Sequence, residues 1–160
     1  MKRVLIFGSK GVIGRQLVKE CMVKFGPNSL TLPAKSDNSW DIVNSKSVSE
    51  LIEGGKPDLI FNSAVSYEEN FSEAVSVNVI GSQNILESVH RLGLKARVIL
   101  IGSAAEYGNV SAQENPIPET RVLKPYSIYG MTKALQTSLA HFYAPLGVDV
   151  IVARLFNISG

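Results

Sequence analysis

The sequence predicts an α/β protein built on an open, doubly wound parallel sheet, with helices on both faces in a three-layer α/β/α arrangement. Two observations predict this class. Apolar runs of the kind that form buried strands alternate with amphipathic stretches, and several of the runs are continuous over four to six residues. Strands covered on both faces carry such unbroken runs, whereas strands with one face in water alternate. We therefore expect β-α-β units with right-handed crossovers.

Five strands and four helices are expected within this framework. The predicted strands are Arg3–Phe7, Ser29–Leu32, Asp58–Phe61, Arg97–Ile101 and Asp149–Ala153. The predicted helices are Val12–Phe25, Ser47–Glu53, Phe71–Leu92 and Ser127–Ala144. Glycine and proline separate these elements, as breakers do. The segment from Gly108 to Pro125 shows no periodicity, and a loop of this length in a compact domain is typically functional.

Composition and charge fit one globular domain and point to no macromolecular partner. The chain of 160 residues has a net charge of +2, which gives no basis for binding nucleic acid or a membrane surface. Cys21 is the single cysteine and is expected to be buried, while His90 and His141 lack metal-ligand spacing. Met1 leads directly into a strand, and no apolar run reaches transmembrane length. We therefore expect no metal, no signal peptide, no membrane span and a cytoplasmic location.

A glycine-rich turn, Gly8-Ser-Lys-Gly11-Val-Ile-Gly14, follows the first predicted strand and opens the first predicted helix. In a Rossmann fold the first glycine permits the tight turn, the second lets the backbone approach a pyrophosphate, and the third lets helix and strand pack closely. The helix N-terminus then presents unpaired N–H groups to the phosphates. The sequence predicts a dinucleotide site that includes Gly8, Lys10, Gly11, Val12, Ile13 and Gly14.

The end of the second predicted strand bears on which dinucleotide is bound. An NAD-binding domain usually carries an acid there for the ribose 2′-OH, but this strand runs into Pro33-Ala-Lys35-Ser36, with no acid before Asp37. Lys10 lies in the glycine turn, and two cations with a hydroxyl suit a 2′-phosphate better. We therefore favour NADP(H), with NAD(H) as the alternative if Lys10 and Lys35 are solvated surface lysines.

Three further residues complete a recognisable pattern. Tyr129 and Lys133 lie one helical turn apart in Tyr126-Ser-Ile-Tyr-Gly-Met-Thr-Lys133, and Ser103 ends the fourth predicted strand. With the glycine turn, these residues resemble the short-chain dehydrogenase/reductase family. The runs Ile101–Gly108, Pro116–Lys133 and Arg154–Gly160 resemble its extended branch, which acts mainly on nucleotide-linked sugars.

The resemblance implies a role for each of these side chains. Tyr129 is the general acid/base that exchanges a proton with a sugar carbonyl or hydroxyl. A free tyrosine has a pKa near 10, and the Lys133 ammonium together with a nicotinamide positive charge is expected to lower it. Lys133 is also expected to hydrogen-bond the cofactor ribose. Ser103 orients the substrate oxygen and stabilises charge that develops on it.

Other positions carry over from the same resemblance. Asp41 and Ile42 resemble the acidic and aliphatic pair that contacts the adenine ring of the cofactor in this family. The cofactor-lining turn is expected at Asn62, Ser63 and Ala64, and the helix asparagine that supports the site is Asn78. Tyr107 and Asn157 are expected to contact the nucleotide sugar, although packing is an equal alternative for Tyr107. Glu106, at a strand end, is expected to be solvated.

The two residues that follow Ser103 argue against one of the reactions of this branch, the dehydration of the sugar. Dehydratases of this branch place Asp and Glu there, and this chain has Ala104 and Ala105, which cannot transfer protons. A 4-keto-sugar reductase or an epimerase needs only the serine, tyrosine, lysine and nicotinamide. The preference for NADP(H) favours the reductase, and the epimerase remains open.

The resemblance also implies what is missing. Residues 1–160 form the dinucleotide-binding domain, and the family continues into a C-terminal substrate domain that is largely absent here. A cofactor-binding module without turnover is therefore an alternative to a working enzyme. A structural interaction protein is a third reading, because the helices at 71–92 and 127–144 match a family dimer interface. A homodimer is expected through apolar members of these helices: Val75, Val79, Ile85, Leu86, Leu135, Leu139 and Phe142.

Overall fold

A five-stranded parallel sheet organises the protein. The computed structural model describes residues 2–33 and 41–158. Within them the strands lie side by side in the order β2-β1-β3-β4-β5, and every neighbouring pair is parallel. Their bounds are Val4–Phe7 (β1), Leu30–Thr31 (β2), Leu59–Asn62 (β3), Arg97–Ser103 (β4) and Asp149–Leu155 (β5). The predicted doubly wound sheet is confirmed, and β4 and β5 each run two residues further than predicted.

Helices cover both faces of the sheet. Their bounds are Val12–Phe25 (α1), Ser45–Gly55 (α2), Phe71–Val75 (α3), Gly81–Arg91 (α4) and Ile128–Tyr143 (α5). Alternate residues of β1 point to opposite faces, which explains its unbroken apolar run. Val4 and Ile6 pack against α1, where Cys21 is buried as predicted, while Leu5 and Phe7 belong to the larger core beneath α2, α4 and α5. In the described ranges, no helix is both long and apolar enough to cross a membrane.

The helix predicted at 71–92 is not regular. A π-helical turn, Ser76–Ile80, joins α3 to α4 and places Asn78 in the interior, fully buried. Asn78 Nδ2 donates to Ser66 O at 2.9 Å and to Thr132 Oγ1 at 2.9 Å, and Asn78 Oδ1 accepts from Ser66 N at 2.8 Å. Turns of this kind occur often at functional sites. This one ties the loop after β3 to α5.

Part of the apolar set expected at a dimer interface is already used inside the domain. Ile85 and Leu86 are fully buried in the core, so they cannot face a second copy. The amphipathic face of α4 packs on the sheet because this helix closes the third layer. Leu135 and Phe142 remain exposed on α5.

The segment from Gly108 to Pro125 folds back on the end of β4. It contains a short 3₁₀ turn, Ala112–Glu114, and an ion pair between Arg121 and Glu114. Lys124 N donates to Glu106 O at 3.1 Å, which brings the far end of the segment next to its start. The chain then enters α5, where the Ser127 hydroxyl caps the helix by accepting from Gly130 N at 3.0 Å.

Candidate active site

The sheet order changes direction between β1 and β3, and the chain leaves both strands at the same edge. Ligands of doubly wound sheets bind in the crevice that opens at such a point, outside the carboxyl ends of the strands. The turn after β3 is fastened to the end of β1, because the backbone N–H and the hydroxyl of Ser63 both donate to Phe7 O, at 3.0 and 2.7 Å. The glycine turn and the turn at 62–64 therefore face each other.

The backbone requires glycine at two positions of the turn. Gly8 has φ +75°, and a Cβ there would lie 2.5 Å from Ala64 N. A Cβ on Gly14 would overlap the carbonyl of Gly8, so α1 can approach β1 this closely only without a side chain. A Cβ on Gly11 would meet only Gly8 O, at 3.4 Å, so its backbone faces open space. Gly11 precedes α1 without a side-chain cap, which leaves the first N–H groups of the helix available to a ligand.

A cleft of about 330 Å³ lies over this turn. Its wall is formed by Gly8, Ser9, Lys10, Gly11, Pro33, Asp41, Ile42, Ser63, Ala64, Val65 and Val77. Seven of the residues assigned to the cofactor thus line one cavity. Asp41 Oδ1 accepts from Val43 N at 3.1 Å, and Ile42 is buried against Gly81. Lys35, the second cation proposed for a 2′-phosphate, lies outside the described residues.

Asn62 is close to this cleft but does not line it. Its side chain is fully buried, where Nδ2 donates to Ser82 Oγ at 3.0 Å and Oδ1 accepts from Ala64 N at 3.2 Å. A buried amide needs such partners, and here they come from the protein. Asn62 therefore holds the turn that lines the cleft, and Asn78 likewise supports the neighbouring loop through Ser66.

A second cleft, of about 280 Å³, adjoins the first. The two share Ser63 and Val65 in their walls, so they are neighbouring parts of one groove. The second wall also contains Val12, Ile13, Tyr67, Ile101, Gly102, Ser103, Tyr129, Lys133, Leu155, Phe156, Asn157 and Ile158. The structure thus brings together Ser103, Tyr129 and Lys133, as the sequence predicts, with Asn157 beside them.

Lys133 is held inside the protein. It is 2% exposed, and its Nζ donates to Ile101 O at 2.8 Å and to Gln136 Oε1 at 3.1 Å. Nζ lies 5.9 Å from the centre of the Tyr129 ring. Burial lowers the pKa of Lys133 to about 8, and the nearby Glu106 carboxylate opposes that shift.

Tyr129 departs from the expectation in one respect. These residues by themselves raise its pKa rather than lower it, because the half-buried phenol is desolvated, while a hydrogen bond with the Ser103 side chain acts in the opposite direction. Tyr67 contributes to the rise, and its ring centre lies 5.0 Å from that of Tyr129. Lys133 Nζ donates to Ile101 O and to Gln136 Oε1, so acceptors other than the phenol hold the ammonium in place.

For Tyr107 the structure shows the packing alternative, and the expectation for Glu106 is wrong. Tyr107 is buried and lies in a separate groove beside β5, where its hydroxyl accepts from Arg154 Nη1 at 3.1 Å. It packs there because the 3₁₀ turn at 104–107 carries it away from the second cleft. Glu106, expected to be solvated, is fully buried, since Ser103 N, Thr137 Oγ1 and Arg154 Nε all donate to its carboxylate.

Sequence reasoning also missed a buried chain of polar groups behind the site. Gln136 Nε2 donates to Ser82 Oγ at 2.8 Å, and Ser82 Oγ donates to Asn78 O at 2.7 Å. The sequence contained a signal for part of it, since Gln136 lies three residues after Lys133 on the same side of α5. For Glu106 the signal was the capping-box spacing of Ser103 and Glu106 at the end of β4.

The sheet order, the glycine turn and the Ser103, Tyr129 and Lys133 set are those of a Rossmann-type domain of the extended short-chain dehydrogenase/reductase family. Comparison with known proteins agrees. Residues 4–160 match the NAD dependent epimerase/dehydratase family, and the chain belongs to it.

Individual relatives share the fold over nearly the whole chain. A dTDP-4-dehydrorhamnose reductase of Aggregatibacter actinomycetemcomitans is 30% identical over 165 residues, covering 100% of this chain and 54% of that protein. RMD from Pseudomonas aeruginosa, solved with NADPH, is 23% identical with a TM-score of 0.80, and the match covers 98% of this chain and 55% of that one. WbmG of Bordetella bronchiseptica, solved with NAD and UDP, is 22% identical with a TM-score of 0.82, and the match covers 99% of this chain and 54% of that one. The chain spans about half the length of the curated relatives it matches.

Proposed function

We propose that this chain is the cofactor-binding and catalytic part of an NADP(H)-dependent enzyme that reduces, or epimerises, a nucleotide-linked sugar. The observation that carries the proposal is the groove itself. Ser103, Tyr129 and Lys133 line one part of it, and the glycine turn lines the adjoining part. The turn would hold the pyrophosphate of a bound dinucleotide, and the adjoining part of the groove, which contains Tyr129, would take its nicotinamide end.

The residues divide the chemistry between them. A bound nicotinamide supplies or accepts the hydride. Tyr129 gives a proton to the sugar carbonyl oxygen in the reductive direction and takes one from the hydroxyl in the reverse direction. The Ser103 hydroxyl, hydrogen-bonded with Tyr129, orients the same oxygen, and Asn157 contacts the nucleotide sugar. Lys133 stabilises the phenolate by its charge and holds the ribose.

The cofactor's adenosine half belongs in the first cleft. We assign its pyrophosphate to Gly8, Gly11, Val12 and the α1 N-terminus, its adenine to Asp41 and Ile42, and its 2′-phosphate to Lys10 and Lys35. RMD was solved with NADPH and WbmG with NAD, so both dinucleotides occur among similar folds. The dTDP-4-dehydrorhamnose reductase relative supports the reductase over the epimerase.

The proposal extends to a further domain and to a second copy of the chain. A C-terminal substrate domain closes the groove over the nucleotide sugar, and a homodimer forms through the exposed face of α5. The cytoplasmic location predicted from the sequence remains part of this proposal. A second candidate function is cofactor binding without turnover, since the groove of this chain holds the glycine turn of a dinucleotide site independently of any substrate.

Replacing the tyrosine separates the two candidates. Wild type and Tyr129→Phe are compared in NADPH consumption with dTDP-4-dehydrorhamnose as the probe, and in NADPH binding by calorimetry. The proposal expects turnover in the wild type, a loss of about 100-fold or more in Tyr129→Phe, and nearly equal binding. Binding without turnover in the wild type supports the second candidate. Equal turnover in both proteins contradicts the role of Tyr129.

A further inference from the structure

Glu106 is the most unusual charged residue near the site. Its side chain is 0% exposed, and it lies in the 3₁₀ turn Ala104–Tyr107 that follows β4. Acidic side chains are almost never fully buried unless they are paired, because removing the charge from water is costly. A Cβ on Gly102 would lie 2.6 Å from Glu106 Oε1, so the backbone packs closely around the carboxylate. Glu106 therefore carries a desolvation cost at this position that an apolar side chain would not have.

The surroundings of Glu106 consist of hydrogen-bond donors. Oε1 accepts from Ser103 N at 2.8 Å, and Oε2 accepts from Thr137 Oγ1 at 2.6 Å and from Arg154 Nε at 2.9 Å. An ionised carboxylate offers only acceptors and matches this set. A glutamine in the same place would turn one donating N–H towards these donors. The pocket is thus built for a negative charge.

Each of the three donors belongs to a segment that carries a residue of the proposed site. Ser103 is itself one of these residues. Thr137 lies one helical turn beyond Lys133 on α5, and Arg154 lies three residues before Asn157 at the end of β5. A single carboxylate therefore fixes the relative positions of β4, α5 and β5 at the edge where the second cleft opens.

We propose that Glu106 is a positioning residue for the reaction: it fixes Ser103 at the end of β4 and sets a buried negative charge behind the strand end where Lys133 Nζ is held by Ile101 O. The inference rests on the proposed function, because it assigns Ser103 and Lys133 their roles. Glu106 does not line the second cleft, so it acts through these two residues and touches no substrate.

The charge balance around Lys133 supports this role. Burial lowers the pKa of Lys133, and Glu106 is the group that raises it. In the described part of the chain, the titratable and charged groups that lie around this region are Glu106, Tyr107, Arg154, Tyr67 and Tyr129. Arg154 pairs with Glu106 and so weakens the field that Glu106 applies to Lys133. Removal of the Glu106 charge should therefore lower the pKa of Lys133, and removal of the Arg154 charge should raise it.

The test is a titration of the Lys133 side chain by NMR with isotope-labelled lysine, in wild type, Glu106→Gln and Arg154→Gln. Glu106→Gln keeps the shape but removes the charge, and is expected to weaken proton binding by Lys133 about tenfold. Arg154→Gln is expected to strengthen it. The matched control is Glu50→Gln, which removes an exposed carboxylate of α2 and should leave the pKa of Lys133 unchanged.

The outcomes decide the proposal without a substrate. An unchanged Lys133 titration in a folded Glu106→Gln protein, judged by a dispersed amide spectrum, overturns it. If that variant does not fold, Arg154→Gln decides, and the absence of a rise in the pKa of Lys133 overturns the proposal. Failure of the wild type to bind NADPH counts against the proposed function and leaves this titration interpretable.

Turnover gives a second readout. With NADPH and dTDP-4-dehydrorhamnose, Glu106→Gln should move the alkaline limb of kcat/KM to lower pH, because Lys133 loses its proton earlier. A merely structural role lowers the rate without moving the limb. A reduced rate with an unshifted pH profile therefore overturns the proposal as well.

Discussion

At the residue scale, the site depends on a lysine that the fold removes from water. Within residues 2–33 and 41–158, Lys133 Nζ donates to Ile101 O and Gln136 Oε1, and its pKa falls from 10.5 to about 8 because burial disfavours the charged form. The folded state thus tolerates this ammonium at a cost of about 3 kcal/mol at neutral pH. Such a cost in a cleft wall is typical of functional groups.

This cost predicts a pH dependence of stability. Between about pH 8 and about pH 10.5 the unfolded chain keeps the Lys133 proton that the folded protein has lost, so the free energy of unfolding should rise with pH in that window. Urea unfolding of wild type and Lys133→Met across the window measures the difference. Wild type should gain up to about 3 kcal/mol relative to the variant. Parallel curves would show that the pKa of Lys133 is not lowered.

A matched pair of glycines tests the packing of the turn. Gly14→Ala would drive a Cβ into the backbone carbonyl of Gly8, which cannot move without disturbing β1, and should destabilise the fold by about 1–3 kcal/mol. Gly54→Ala in α2 meets nothing within 4 Å and should stabilise by about 0.5–1 kcal/mol. Thermal unfolding of both variants measures this contrast. A neutral Gly14→Ala would contradict the close approach of α1 to the turn.

At the element scale, the sequence predicts elements well and their long-range partners poorly. The strands and α1 follow from local patterns of apolar residues and glycine, so their predicted bounds agree with the structure within a few residues. Burial of Glu106 depends on Arg154, which is 48 residues away along the chain. Nothing local to either residue shows that pairing. The same holds for Tyr107, whose hydroxyl meets the same arginine.

The π turn between α3 and α4 shows the same limit. A periodic pattern predicts a helix from 71 to 92 but cannot show that one turn widens, because the widening follows from contacts of Asn78 with Ser66 and Thr132. These contacts bring together the loop after β3 and α5, which carries Tyr129. The turn is therefore an element whose role appears only in three dimensions.

Removing these contacts should loosen the loop selectively. Asn78→Ala leaves Ser66 N and Thr132 Oγ1 without their buried partner, and we expect a loss of about 2–4 kcal/mol in the free energy of unfolding. Hydrogen exchange at the Ser66 amide should also accelerate relative to amides of β1. Unchanged protection at Ser66 would show that Asn78 does not hold the loop.

At the scale of the whole molecule, α5 carries exposed apolar side chains that a second copy of the domain could cover. Leu135 and Phe142 are 39% and 61% exposed and lie two helical turns apart, on one side of the helix. The proposed homodimer places this face against its copy. Because Ile85 and Leu86 are buried in the core, α5 supplies most of the exposed apolar contact.

Charge on this face should prevent association. We expect the double variant Leu135→Glu and Phe142→Glu to sediment as a monomer under conditions where the wild type is a dimer, since burying two carboxylates at an interface is unfavourable. Val23→Glu, at an exposed position of α1, is the matched control and should leave the dimer intact. Identical sedimentation of all three proteins would place any interface elsewhere.

The central claim for the whole molecule is that its groove holds a nicotinamide dinucleotide, with its phosphates on the glycine turn. A calorimetric titration of the 160-residue chain with NADPH, and separately with NADH, tests this claim most directly. We expect saturable binding of one dinucleotide per chain, with NADPH the tighter of the two. Tighter binding of NADH would contradict the assignment of the 2′-phosphate and favour the epimerase. Absence of binding by both dinucleotides would contradict the claim that this chain carries a working cofactor site.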